Sequence, residues 1–517
     1  MSTILYSDYS GGIDHSRPAN LQDANRLRVL QNAYVTPGKS IRKRPGARYC
    51  WSWGPGVKGL YPGPGYLTGF WGDGNADRQA VTQGAFLQDT GIFVSSRLQA
   101  GGGDTAPGNE VIDVRTAFLV AGQAYVVANT DMGMRHYFVA PGDNQIVDSA
   151  CPHGAAAVPL ASKVFGTAPQ GVVSFSKTDD PSDWSEADDA GFLPTNRKTR
   201  GSMNLTAMGE FDGLLVAFFE DGAQIWEVDP DPEAMRYVKT IAVGAVAGDS
   251  AANVGADLFF ASPVGVRSIV LHSQSGNAMD LDVGAPVDRL AQALIAEPGA
   301  LMARFMPSLG QFWLIKGARA LVYSFSRTAK VFAWSEYEFP WGIAGAADFE
   351  HAVYLRSAAG DIYRLDADYP FDDDAAAAVS ALGVARDPLA WAGVFPPQGL
   401  TIPRVVVQTA FFDMKATASL KQIHAMDVVA TRTPRGATPE GLPRLFQVTH
   451  LFRPATGDEL FEAGPIGLSD APDDTRQGGT VPVGLMAPAI AARIEHQAAE
   501  SFELSGLLYH FDNLGMS

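Results

Sequence analysis

Two short runs place carboxylates close together: Asp179, Asp180 and Asp183 within TDDPSD, and Asp229 with Asp231 across Pro230. Calcium needs about six to eight hard oxygen ligands, and clusters of this kind supply them. Asp interleaved with Pro and Ser is also what turns are made from, because an Asp side chain accepts hydrogen bonds from amides just ahead of it. The turn role is the expectation. The histidines at 15, 136, 153, 272, 351, 424, 450, 496 and 510 form no HExxH or HxH pair. Cys50 and Cys151 have no CxxC partner, which excludes a Cys-based zinc centre and a disulfide-rich scaffold. There is no GxSxG elbow, since Gly201-Ser202 runs on into Met203-Asn204, and no GxxxxGK[ST] phosphate loop. Nothing among the 56 acidic residues singles out a glycosidase pair, which would need two carboxyl groups about 5–10 Å apart. The expectation is a chain that is not an enzyme and takes no cofactor.

The constellation that remains is basic. Arg42, Lys43, Arg44 and Arg48 sit in a 50-residue opening segment with eight basic residues and three acidic ones, while the whole chain carries −17. An acidic body is a poor general binder of DNA, whose affinity comes chiefly from cations neutralising phosphates. It suits a surface along which DNA passes without sticking. The basic segment is the candidate for docking on an acidic neighbour. The acidic loops Asp179–Asp189 and Pro465–Asp474, with Asp179, Asp180, Asp183, Asp470, Asp473 and Asp474, are the candidates for a lumen or an interface.

The elements that must carry these residues read as β. The chain has 517 residues, 54 of them Gly and 33 Pro, with 10% aromatic and only 18% charged. That size supports a few domains without disulfide staples. Charge is scarce enough to suit large subunit interfaces. Short apolar runs such as Val126–Ala128, Gly171–Ser176, Leu214–Phe219, Asp257–Ala261, Phe312–Ile315, Leu321–Phe325 and Ala352–Leu355 are rich in β-formers and too short for helices. Asp212-Gly213, Asp221-Gly222 and Gly360-Asp361 separate them as turns. Hairpin units recurring about every 40–50 residues have propeller spacing. Two helices are expected: one within Val287–Arg304, with Leu290, Leu294 and Ile295 on a shared face and Pro298 interrupting it, and one over residues 21–33. Asp372–Asp374 and Ala375–Ala378 read as a linker, and Arg432–Pro443 and Pro465–Gly484 as polar loops among further strands. Trp184, Trp226, Trp313 and Trp334 fall in or beside strands and are expected in the core.

The organisation expected is therefore a basic N-terminal segment (1–50), a β-propeller-like domain (51–371) and a C-terminal β-rich platform (372–517). No stretch approaches 18 uninterrupted apolar residues, and Met1 to Gly12 lacks the pattern of a signal peptide. Membrane insertion is not expected.

An ordered series of motifs carries a resemblance. It opens with Ser10 to Asp14 (SGGID), Arg17-Pro18-Ala19, Asn25-Arg26-Leu27, Gln31-Asn32-Ala33 and Arg42 to Gly46 (RKRPG). It continues through Val173–Trp184 (VSFSKTDDPSDW), a strand pair with Leu214, Phe218, Phe219 and Trp226, then Ile241–Gly244 and Ala261–Ser268. It ends on Phe502–Gly515 (FELSGLLYHFDNLG). The series resembles the β-propeller structural proteins of tailed bacteriophages, and in particular the tail nozzle or tail-hub proteins of short-tailed phages, of the tail tubular protein B and packaged-DNA stabilisation type. The resemblance implies a hexameric ring in the virion tail, assembled in the host cytoplasm below the portal and adaptor rings. Such a ring extends the channel for genomic double-stranded DNA without sequence-specific binding, retains the packaged DNA and supports tail fibres or spikes. On that reading Arg42–Arg48 docks on the adaptor, and replacing Lys43 and Arg44 with Glu blocks assembly of a folded monomer. The competing expectation is a carbohydrate-binding or carbohydrate-cleaving propeller that recognises a receptor through exposed aromatics.

Overall fold

The computed structural model describes every residue except 1, 19–20, 55, 64–65, 73–79, 88–92, 100–110, 131–132, 141–142, 148–149, 187–188, 200, 271–281, 375–398, 417–418, 435–442, 454–458, 469–479 and 517. The described chain is mainly β, arranged in many sheets. No helix in it is long and apolar enough to cross a membrane.

Seven antiparallel sheets follow one another along the chain. Their first strands are Val57–Gly63, Val111–Val120, Ala157–Leu160, Leu205–Phe211, Ala251–Val254, Leu301–Met306 and Ile343–Phe349. Apart from one strand of the seventh and those that extend the sixth, each sheet pairs strands that are consecutive in the chain. Asp212 (φ 50°) and Gly213 (φ 75°) both lie in the left-handed region, as a two-residue turn matched to strand twist requires. The first strand of each sheet contacts the first strand of the next, and Ile343–Phe349 returns to contact Val57–Gly63. The seventh sheet takes its fourth strand, Gly46–Ser52, from the N-terminal side of the whole series. Strands are buried on both faces where sheets stack: Gln311–Lys316 is buried throughout. The fifth sheet has only three strands, and the helix Asp288–Ala296 lies against its last one. Arg267 ties the two together, pairing with Asp288 at 2.7 Å and Asp282 at 3.3 Å.

The other expected helix is a strand. Arg26–Gln31 lies parallel to Gly12–Ile13 and antiparallel to Val405–Thr409. An irregularity between Leu27 and Val29 shifts the alternation, so Leu27 and Leu30 both point inward. Their three-residue spacing imitates a helical face.

The N-terminal segment is not separate. Its strands Gly12–Ile13 and Arg26–Gln31 join the outer strand of the sixth sheet, Val331–Glu338, to Val405–Thr409, Ile490–Gln497, Leu445–Phe452 and Phe461–Gly467 in one ten-stranded sheet. A six-stranded sheet contains Ser2–Tyr6, Ala33–Val35 and Ile41–Lys43 together with Ser419–Pro434, Thr480–Ala487 and Glu500–Met516. One core cluster runs across all three regions, from Leu27 and Ile41 through Phe312 and Trp334 to Ile494 and Phe502. The expected linker is also ordered at its start: Asp372–Asp373 is a short buried strand paired with Leu400–Thr401. Ala375–Ala378 lies outside the described residues. Arg432, expected in a loop, belongs to the strand Ser419–Pro434 and is buried.

Candidate interface and the basic junction

The motif residues at the start of the chain meet at one junction, and local geometry explains their types. Gly12 sits at φ 57° between Trp334 and Arg26, and a Cβ there would lie 2.6 Å from the Trp334 backbone nitrogen. Asn32 also has positive φ (52°). Its Oδ1 accepts hydrogen bonds from Arg44 Nε (3.0 Å) and the Glu338 amide (2.9 Å), and its Nδ2 donates to the Arg404 carbonyl (3.0 Å). One amide side chain thus fastens the N-terminal segment, the sixth sheet and the C-terminal strands.

The four basic candidates divide into two pairs. Arg44 is interior, 2% exposed. Its guanidinium forms a two-pronged ion pair with Asp372, donates to the Glu338 carbonyl (2.8 Å) and lies 4.1 Å from the Phe339 ring centroid. Lys43 is 7% exposed and donates to the Ala498 carbonyl at 3.0 Å. Burial pushes its ammonium down to about 7, against the pull of Asp372. Neither side chain reaches the surface, where it would have to stand to meet a neighbouring ring. The expectation that Lys43 and Arg44 stand on the docking surface is corrected accordingly: both are buried. Arg42 and Arg48 are at the surface. Arg42 forms a two-pronged pair with Glu503 (2.6 and 2.9 Å), and Arg48 lies 4.0 Å from Asp366 and 5.8 Å from the Tyr369 ring centroid.

Beside them lies a buried triad with no signal in the sequence. Glu500 Oε1 accepts from His496 Nε2 at 2.7 Å and from Arg432 Nε. Burial alone would raise the Glu500 carboxyl, but His496 and Arg432 hold it below its ordinary value. Burial pushes His496 down to about 4. A 270 Å³ cavity opens between this triad and the basic segment, lined by Tyr34, Arg42, Lys43, Thr431, Glu500 and Glu503 among others. Each of its carboxylates has a cation: Glu503 pairs with Arg42, and Glu500 with Arg432.

The carboxylate runs serve turns. Asp180 Oδ1 accepts from the Ser182 amide and hydroxyl, and Asp183 Oδ1 does the same with Ser185. Those bonds hold Asp183 below the ordinary carboxylate range. Asp229 accepts from the Asp231 amide, and Asp231 in turn from that of Glu233. Asp179 is exposed with φ 58°. Asp470, Asp473 and Asp474 lie outside the described residues. Among the described residues no group of His, Cys, Asp and Glu has the geometry to hold a metal. Trp184, Trp226, Trp313 and Trp334 are all buried, and each indole N–H finds an acceptor: Pro181 O, Gln224 Oε1, Gln311 Oε1 and Val283 O. These four form no exposed stacking platform.

No protein-family model matches the chain, and no curated protein does. Among solved structures, BamB from Moraxella catarrhalis is 10% identical, covering 70% of this chain and 96% of its own, with a TM-score of 0.37. The computationally designed Ika8 protein is likewise 10% identical, covering 62% of this chain and 99% of its own, also at 0.37. Scores this low carry no argument about what the chain does.

Proposed function

We propose that the seven sheets form a seven-bladed β-propeller closed by Gly46–Ser52, and that the chain is a structural subunit of a phage tail nozzle. The reading is supported by the cycle of contacts among first strands and by that late fourth strand. Joining a strand from one end of the series to the sheet at the other is how a radial array protects its edges. The observation that carries the functional part is the junction. The opening and closing motifs of the phage resemblance, 461 residues apart at Arg42 and Glu503, are hydrogen-bonded to each other. Asn32 and Gly12, also motif residues, bind the propeller to the platform at the same place. A continuous ten-stranded sheet through this joint suits a part that transmits load between rings.

DNA would not run through the propeller itself. Tyr61, on the first strand of the first sheet, reaches the Val114 carbonyl of the second at 3.4 Å. Arg304, on the first strand of the sixth, pairs with Asp249 at 2.5 Å. Burial opposes the Arg304 charge, but Asp249 and Tyr61 outweigh it and raise the guanidinium above its ordinary value. On this reading, side chains from three sheets meet near the axis of the propeller. The DNA channel of this proposal lies between subunits of a homo-oligomeric, sixfold ring, whose acidic walls repel phosphates. Docking on the adaptor is assigned to Arg42 and Arg48.

The test is the mass and symmetry of the purified protein, alone and mixed with a portal-adaptor ring, by light scattering and electron microscopy. A sixfold ring with an open channel is expected. A persistent monomer without affinity for the adaptor would remove the proposal.

A further inference from the structure

A second cavity, of 610 Å³, opens where the second, fifth and sixth sheets approach each other. Arg115, Asn129, Ala155, Asp249, Ile295 and Lys316 are among its lining residues. Its volume is that of a small-molecule site. The electrostatics of its wall are unusual for a chain of net charge −17. Lys316, at the end of the strand Gln311–Lys316, is only 6% exposed. Its ammonium donates one hydrogen bond, to the Ile295 carbonyl at 2.7 Å. No carboxylate of a described residue pairs with it. An ammonium has three donors, so two are left without a protein acceptor. A buried cation without a counter-charge is costly, and such groups are ordinarily paired.

The rest of the wall points the same way. Arg115 reaches its nearest carboxylate, Asp113, only at 3.9 Å, with its side chain 41% exposed. Asp249 is occupied by the two-pronged pair with Arg304, at 2.5 and 3.0 Å. The Asn129 side chain makes no hydrogen bond among the described residues, so its amide is free to donate. Two cations and one amide donor thus face the cavity, with Asp249 held by Arg304 and Asp113 at 3.9 Å from Arg115, while Lys316 has no carboxylate partner among the described residues.

We propose that this cavity binds a phosphate group, as the free ion or as the monoester of a small molecule. A phosphate group supplies the counter-charge that Lys316 lacks, and its oxygens accept the unused N–H groups of Lys316, Arg115 and Asn129. The site is independent of the tail reading, since it rests on the cavity alone.

Calorimetric titration of the full-length protein with inorganic phosphate and with ribose 5-phosphate tests this, with chloride at matched ionic strength as control. One saturable site per chain is expected, and tighter binding of the ester would mark it as the better-fitting ligand. Lys316→Met should weaken binding at least tenfold. Arg115→Leu alters a partly exposed side chain and keeps the test valid if the first variant does not fold; it too should weaken binding tenfold. No saturable heat up to about 10 mM of either ligand, or unchanged affinity in Arg115→Leu, would overturn the proposal. So would binding of a polyacidic peptide without binding of phosphate, because the site would then belong to a protein carboxylate.

Discussion

Replacing Arg44 with Met removes the best-satisfied cation at the junction. All five of its N–H donors are used: one on Asn32 Oδ1, two on Asp372, and one each on the Pro45 and Glu338 carbonyls. Methionine roughly keeps the volume against Phe339 and deletes every one of those bonds. Asp372, 1% exposed, would then keep one hydrogen-bond donor among the described residues, the Ala47 amide at 3.0 Å. Removing one partner of a buried ion pair costs about 3–5 kcal/mol, most of it the penalty of the charge left behind. Urea unfolding followed by tryptophan fluorescence should show the variant less stable by that amount. Adding Asp372→Asn removes the stranded charge and should recover a large part of the loss. If Arg44→Met unfolds within about 1 kcal/mol of the parent, the pair does not hold the joint and the reasoning fails.

Other consequences follow from the same geometry. Arg42→Ala breaks a partly exposed pair and should cost no more than about 1 kcal/mol in the same assay. The double variant Arg42→Glu/Arg48→Glu should therefore fold normally and, on the proposed function, lose adaptor binding in a pull-down; retained binding would remove these residues from the docking face. Gly12→Ala should give little soluble protein, since the added carbon strikes Trp334, whereas Gly213→Ala, with open space around it, should cost only about 1 kcal/mol for its positive φ. His450 is 1% exposed, and neither ring nitrogen has a hydrogen-bond partner among the described residues. Burial pushes it down to about 4. The unfolded state, with an ordinary histidine near 6.5, then binds more protons between those values, so stability falls as pH drops from about 6.5 towards 4. His450→Leu should raise stability by about 1–3 kcal/mol at pH 7 and shrink the loss on acidification; an unchanged pH profile would show that other groups dominate.

Much of the β texture was legible because it is local. Leu214–Phe219 and Asp257–Ala261 form strands as their composition demands, and Asp212-Gly213 turns because only such residues accept two successive positive φ values. The helix was legible for the same reason over Asp288–Ala296, while the rest of the expected span, towards Arg304, runs into the strand Leu301–Met306. The failures were those of neighbourhood. Residues 21–33 imitate a helix because an irregular register puts Leu27 and Leu30 on one face, and register depends on strands hundreds of residues away.

The basic run marks the sharpest division. Its sequence shows four cations in a row of seven residues and nothing to distinguish them. Strand alternation and the partners across the fold decide that Arg42 and Arg48 reach water while Lys43 and Arg44 are enclosed. The partners themselves (Glu503, Asp372, Ala498) come from the far end of the chain. Composition, turn chemistry and strand propensity are properties of short segments, so the sequence by itself determined a β-rich chain with core tryptophans and turn-bound aspartates. Burial, ion pairing and the uncompensated Lys316 are properties of contacts between distant segments, and only the tertiary structure decided them.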